Sequence, residues 1–414
     1  MEAVIKIGKC VFCSSKSLHS LLKIDKVPGS SQVLYKKQSD AVNCITRSLH
    51  IFMCKKCAAI FNGSYCFKQK TVDQYKDPDY YSSMSFSSQS RKYQKELASK
   101  VNNLLNLQNK TICEIGCGDG FFLNEISKYS RDSIGFEPSS TFDLAKKYQN
   151  IKIYNNYFNP HQPKMLRGKK INLFILRHVL EHLSNPFQYL KLLKECYRVP
   201  EAEQGLLLEV PNAIYLMKNN FYFDFYYDHV YYFTPVFLVK FLKRLGWKKI
   251  TLIESGQKEF LRVFCSNKDA VKTEKLNKKV MLSYSCCATS FSKNYNIWKK
   301  QIIKQLEDLK KSRKKIGVWG AGSRGVTLIN SIGRDNKFFS YAIDSDTNKQ
   351  QRFIPVLGIP IVSVKILEKE PVDYLLITAQ TYFYEIAKSL EKYTRRGLKL
   401  IKVYPKIEIF TNYA

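Results

Sequence analysis

The sequence predicts an α/β protein with three parts: a small N-terminal metal-binding domain, a central doubly wound sheet, and a Rossmann-like unit at the C-terminal end. Three observations carry this. Thr111-Ile112-Cys113-Glu114-Ile115-Gly116-Cys117-Gly118-Asp119-Gly120 reads as a short apolar strand breaking into a glycine-rich turn, with a helix opening at Phe121. Such a strand-turn-helix layout suits nucleotide binding at the carboxyl end of a parallel sheet. Two Cys-x-x-Cys pairs, Cys10/Cys13 and Cys54/Cys57, precede it. A second glycine turn, Gly320-Ala-Gly322-Ser323-Arg324-Gly325, follows another short strand near the end. The boundaries implied are 1–70, 71–267, a connecting helical segment at 268–314, and 315–414.

Composition narrows the class. A chain of 414 residues, 45% hydrophobic and 25% charged, holds more than one folded domain. No apolar run approaches the ~18 residues needed to span a bilayer, and residues 1–10 lack a signal-peptide core, so a cytoplasmic protein without a membrane partner is expected. The formal net charge is +32, but lysine is spread through every segment. A nucleic-acid partner would call for a clustered basic face, and is therefore not expected. A diffuse basic field does suit a small anionic substrate. Oligomeric state is not legible. Twelve cysteines in such a chain point to metal or free thiols before disulfides.

Taken in order, each Cys-x-x-Cys pair offers two thiolates from one tight turn, and two turns complete a closed tetrahedral site for structural Zn²⁺. The gap between the pairs is long, so the intervening chain must fold back. Cys44, His50 and Cys66 are alternative ligands. Residues 71–93 form a tyrosine- and serine-rich loop, containing Tyr75, Tyr80 and Tyr81, that leads into a helix over 91–107. In the glycine turn, Gly116, Gly118 and Gly120 let a ligand approach the backbone, and Glu114 suits a polar or cationic group. The second strand ends at Glu137, about twenty residues past the glycines, where a carboxylate can accept both hydroxyls of a ribose. Ile151–Tyr154 and Ile171–Leu176 continue the parallel series, and the apolar run of 171–176 reads as a buried strand. Arg177-His178-Val179-Leu180-Glu181-His182 follows, and after a helix comes Leu208-Glu209-Val210-Pro211-Asn212. A helix and two strands over 238–264 close the sheet.

Glu-x-Gly-x-Gly-x-Gly resembles the first motif of class I S-adenosylmethionine (SAM) methyltransferases. The later stretch Phe223-Asp224-Phe225-Tyr226-Tyr227-Asp228-His229, joined to the cysteine pairs and the second glycine turn, resembles the sugar C-methyltransferase family over nearly the full chain. The resemblance implies a class I methyltransferase fold, SAM and structural zinc as cofactors, and methylation of the carbon beside the ketone of a nucleoside-diphosphate keto-deoxysugar. It also implies the roles. His229 is the base, Tyr226 a donor to the keto or enolate oxygen, Asp228 an acid that positions the sugar or the imidazole, and His182 and a loop tyrosine, Tyr80 with Tyr75 and Tyr81 as alternatives, line the site. Glu114, Gly116, Cys117, Gly118, Gly120, Glu137 and Arg177 hold the cofactor. Gly320, Gly322, Ser323, Arg324 and Asp344 hold the substrate's nucleotide. The family more often carries glutamate where Asp228 stands, one methylene longer.

The chemistry needs such residues. A C–H beside a ketone is a weak acid, so a base must remove the proton while a donor stabilises the enolate oxygen. Gly320–Gly325 followed by Asp344 also matches the dinucleotide fingerprint, which taken alone means NAD and a reductase. Methyl transfer to oxygen or nitrogen of another small molecule, and RNA modification, are the remaining alternatives.

Overall fold

The computed structural model describes residues 8–65, 74–81, 85, 87–160, 166, 169–196, 204–254, 258–267, 278–332, 338–403 and 405–411. Among these the strands form three sheets. The central sheet runs, edge to edge, Lys249–Leu252, Phe260–Ser266, Gly205–Pro211, Leu173–Arg177, Thr111–Ile115, Asp132–Phe136 and Lys152–Tyr154. Five of these strands are parallel neighbours, while Phe260–Ser266 inserts antiparallel beside Gly205–Pro211. The strand order reverses on either side of Thr111–Ile115, which puts the expected ligand crevice at its carboxyl end. All five residues of Thr111–Ile115 and of Leu173–Arg177 are buried, as strands covered on both faces must be.

The N-terminal sheet explains the long gap between cysteine pairs. Leu18–Pro28 and Thr46–Cys54 form an antiparallel hairpin with Leu18 opposite Cys54, so the chain returns to where it began. Ile60–Asn62 adds a third strand, and the fourth comes from far along the chain: Tyr231 pairs with Phe61 and Tyr232 with Ile60. The segment carrying Tyr226 and His229 is thus stitched into the N-terminal sheet. The C-terminal sheet, Ile361–Val362, Phe339–Ile343, Ile316–Trp319, Tyr374–Ile377, Lys399–Lys402 and Glu408–Phe410, is parallel except for its last strand.

The expected connecting helix spans Lys278–Lys311 and is more than a connector. Tyr284, Ala288, Phe291, Tyr295, Trp298, Ile302 and Leu306 recur every three or four residues and are all buried on one stripe. That stripe backs the segment leading to Tyr226 and His229, with Tyr222 against Phe291 at 5.0 Å and Phe223 against Trp298 at 4.9 Å between ring centroids. One apolar core therefore runs from Leu21 through Phe225 and Phe291 to Val403, across the divisions the sequence suggests at 267 and 314. No helix of the described residues is long and apolar enough to cross a membrane.

Candidate active site

A cavity of about 610 Å³ opens at the reversal point of the central sheet. Three groups of side chains converge on it: Glu114, Gly116, Cys117, Gly118, Glu137 and Arg177 from the central sheet; Tyr226, His229, His182 and Tyr80; and Ser323 and Arg324 from the C-terminal domain. Of the candidate residues, Gly120, Asp228, Gly320, Gly322 and Asp344 lie outside its lining.

The glycine turn is built from three left-handed residues, Gly116 at φ 69°, Gly118 at φ 55° and Gly120 at φ 72°. Their roles differ. A Cβ on Gly116 would stand 2.5 Å from Val179 Cγ2, and one on Gly120 would stand 2.8 Å from Ala145 Cβ, whereas Gly118 faces open space. Gly118 N–H and Ser139 N–H donate to the two oxygens of Glu137, both at 2.9 Å, which fixes that carboxylate at the cavity wall. Each oxygen keeps a lone pair for a ligand hydroxyl. Glu114 is 1% exposed, and burial pushes its carboxyl up to about 8 against the pull of Arg177. Glu114 Oε2 has no hydrogen-bond partner among the described residues. A buried acceptor left open beside a cavity fits a cationic amine.

Beneath this wall lies a charge network that the sequence did not announce. Glu209, fully buried in its strand, accepts from Arg177 Nη2 at 3.3 Å, His178 Nε2 at 2.9 Å and Arg262 Nε at 3.1 Å, and from the Tyr93 hydroxyl. Arg177 also meets Gln94 Oε1 at 3.2 Å and lies over the Phe122 ring. Burial alone would depress His178, but the nearby carboxylates of Glu181, 3.6 Å away, and Glu209, hydrogen-bonded at 2.9 Å, outweigh it and push its pKa up to about 9. His178 also has a φ of 55°, an uncommon conformation for a residue with a Cβ, held by its N–H on Glu209 O at 2.8 Å.

On the opposite wall His229 packs between His182, 4.6 Å away, and Tyr226, 4.9 Å away, ring to ring. Burial, with help from His182 and His178, holds His229 well below the usual histidine range, so its ring is neutral near pH 7. Its Nδ1 has no hydrogen-bond partner among the described residues. His182 Nδ1 donates to the backbone carbonyl of Asp228 at 3.0 Å, with the Asp228 carboxylate 3.7 Å off, so Asp228 braces His182. The acid that touches Tyr226 is Asp224, which accepts the phenol O–H at 2.8 Å. Tyr80 is anchored by a bridge to Val33 and stacks edge-on with Tyr75, itself edge-on to His182.

In the C-terminal domain, Asp344 accepts from Ala321 N–H and Asp346 N–H, both at 2.9 Å, so it fastens its own glycine turn. Gly325 is required by packing, since a Cβ there would meet Gly320 O at 2.0 Å. At the N-terminal end, Cys10 Sγ lies 3.6 Å from Cys57 Sγ, Cys13 Sγ lies 3.6 Å from Cys54 Sγ, and all four sulfurs lie within 4.8 Å of one another. Four sulfurs bound at about 2.3 Å to one tetrahedral ion stand roughly 3.8 Å apart, so the cluster fits a metal ion. Cys44 and His50 stay outside it, and Cys66 lies outside the described residues.

Comparison with known proteins agrees with this layout. Residues 90–252 match a family described as a methyltransferase domain, and residues 268–405 match one described as the C-methyltransferase C-terminal domain. A tRNA U34 carboxymethyltransferase of Nautilia profundicola is 29% identical over 99 residues, 22% of this chain, and the match spans 31% of that protein's length. Among solved structures, magnesium protoporphyrin IX methyltransferase from Synechocystis PCC 6803 shares 14% identity and a TM-score of 0.33 over 45% of this chain and 91% of its own. A SAM-dependent methyltransferase from Aquifex aeolicus shares 15% identity and a TM-score of 0.32 over 43% of this chain and 98% of its own. Those scores are too low to bear on mechanism. The chain thus carries a methyltransferase domain at its centre and, behind it, a C-methyltransferase C-terminal domain.

Proposed function

We propose that the protein methylates the carbon beside the ketone of a nucleoside-diphosphate keto-deoxysugar. The observation that carries this reading is the convergence of a neutral buried histidine, a tyrosine hydroxyl and a C-terminal-domain arginine on the cavity lined by the glycine turn. Glu137 would take the ribose hydroxyls of SAM and Glu114 its amine, with Gly116 and Gly118 giving backbone clearance and Arg177 backing the wall. When bound, SAM supplies an electrophilic methyl group. The chain's own residues do the rest. The His229 imidazole takes the proton from the α-carbon as the C–H bond breaks, and the electron pair moves onto the carbonyl oxygen as an enolate. Tyr226 donates a hydrogen bond to that oxygen, and the enolate carbon would take the methyl as its bond to the sulfonium sulfur breaks, leaving the thioether S-adenosylhomocysteine. His182, braced by Asp228, keeps the His229 ring in place. Ser323 and Arg324 face the anionic end of the acceptor, and the Rossmann-like domain would hold its nucleotide. Zinc is the proposed occupant of the four-cysteine cluster.

A reductase role for the second glycine turn is tested separately by titration with NADH, and no binding is the expected result. The test is wash-in of deuterium at the α-carbon when nucleoside-diphosphate keto-deoxyhexoses are incubated with enzyme in heavy water. Exchange that vanishes in His229→Asn while SAM affinity stays is the expected result. SAM binding without exchange on any such sugar would overturn C-methylation of this substrate class.

A further inference from the structure

Asp224 stands at a junction that the mechanism above leaves unused. Its Oδ1 accepts two hydrogen bonds, from the Tyr226 hydroxyl at 2.8 Å and from Arg324 Nε at 2.7 Å, while Oδ2 is buried and without a partner among the described residues. Arg324 belongs to the helix Ser323–Ile332 of the C-terminal domain. Its Nη2 reaches Glu259 at 3.3 Å, and its guanidinium lies over the Phe221 ring. Asp224, Tyr226, Glu259, Ser323 and Arg324 all line the same cavity.

Tyr226 has one proton to donate. While it is given to Asp224 it cannot be given to a ligand oxygen, so the resting arrangement holds the proposed enolate donor in an off position. If the phenol were the sole donor to this buried carboxylate, turning it away would strand an unpaired charge, which is costly. With Arg324 on the same oxygen, the hydroxyl can rotate and Asp224 remains paired.

We propose that Arg324 is a positioning residue that releases the Tyr226 hydroxyl from Asp224, so that the C-terminal domain completes the enolate-stabilising site of the methyltransferase domain. The identity of the reaction rests on the sugar reading above; the coupling among the three side chains does not. Direct support comes from the electrostatics at Tyr226: burial and Asp224 raise its pKa, and Arg324 opposes them. The guanidinium also draws on the carboxylate oxygen that the phenol uses, which weakens the phenol's own bond. Loss of the arginine is therefore predicted to trap Tyr226, and loss of the Asp224 charge to free it again.

The coupling is read in the full ligand-free chain by introducing a trifluorinated tyrosine, more acidic than the native phenol, at position 226 and following its titration by fluorine NMR. Arg324→Met should raise that pKa by about one or more, tenfold in the phenol–phenolate ratio, Asp224→Asn should lower it similarly, and the double variant should return toward the parent. An unmoved pKa in Arg324→Met refutes the coupling. The second readout is α-deuterium exchange on thymidine-diphosphate keto-deoxyglucose at saturating sugar. Arg324→Met should slow it roughly tenfold or more, and adding Asp224→Asn should restore most of that loss. A merely structural arginine gives the reverse, a double variant slower than either single one, and that result overturns the proposal. Absence of exchange in the wild type would refute the sugar reading alone, since the fluorine titration decides the coupling without a substrate.

Discussion

Replacing Glu209 with glutamine keeps its shape and removes the one charge that three cations share. Arg262 and Glu209 are 1% and 0% exposed at their side chains, Arg177 is 6% and His178 21%, so water cannot substitute for the lost partner. Raising His178 from 6.5 to about 9 corresponds to roughly 3.4 kcal/mol in favour of its charged ring. Two carboxylates supply this and offset the cost of burial besides, Glu209 at 2.9 Å and Glu181 at 3.6 Å. The two arginines remain charged at any workable pH, and breaking such a buried pair costs about 3–5 kcal/mol. The sign for His178 follows from its raised pKa: its contribution is complete below pH 6.5 and is lost as pH rises through about 9. The variant's deficit against wild type should therefore be about 3–5 kcal/mol or more near neutrality, and smaller above the point where His178 loses its proton in both proteins. Urea denaturation of both proteins below pH 6.5 and above pH 9, with the His178 ring followed by NMR, provides the measurement. A His178 ring that still titrates near 9 in the variant, or a deficit independent of pH, would refute the assignment of Glu209 as the shared counter-charge.

Other perturbations test other parts. Because burial and its histidine neighbours hold His229 below 6.5, the acid limb of the α-exchange rate should fall below pH 6.5, and a limb at or above it would mean a solvated base. Gly116→Ala forces a Cβ to 2.5 Å from Val179 at φ 69°, a conformation costing about 1–2 kcal/mol before any clash, so SAM affinity by calorimetry should fall roughly tenfold or more. Trp298→Ala removes a buried ring that meets Tyr222 at 5.6 Å and Phe223 at 4.9 Å, with an expected loss of about 3–5 kcal/mol in thermal or urea unfolding. Metal analysis should find about one zinc per chain, and Cys54→Ser should lose it together with α-exchange.

The parts legible in the sequence are those written in local pattern. Alternate glycines after an apolar strand, an acid closing the next strand, and two cysteine pairs each encode their geometry within a few residues; Gly116, Gly118 and Glu137 share one cavity, and the four cysteine sulfurs one cluster. The helix over 91–107 emerges as Ser88–Leu105, one turn earlier because Ser87 caps it through Ser90 N–H. What stayed hidden depends on distance along the chain. Glu209 reads as one polar residue in an apolar strand, and nothing local says that Tyr93, Arg177 and Arg262 will meet it. Asp224 sits between two phenylalanines and only the approach of Arg324 gives it a role. Asp228 lies in the turn after Tyr226, with its carboxylate 3.7 Å from His182 Nδ1 and outside the cavity lining, a placement that the neighbouring residues do not spell out. His178 carried no signal of its own, as left-handed backbone in a non-glycine residue has no sequence mark.

The pairing of Ile60 with Tyr232 has a consequence for how the chain is made. As the protein leaves the ribosome, the strand Ile60–Asn62 emerges with one edge unsatisfied and waits for a partner until Tyr231 and Tyr232 appear. Contacts of such long sequence separation must first meet the entropy of closing a large loop, and they form late. The segment bearing Tyr226 and His229 is then among the last to be fixed, after the glycine turn and its helix have had time to fold. A nascent or truncated chain ending before Tyr231 would carry His229 without the strand that anchors it, and its open sheet edge would invite pairing with another chain.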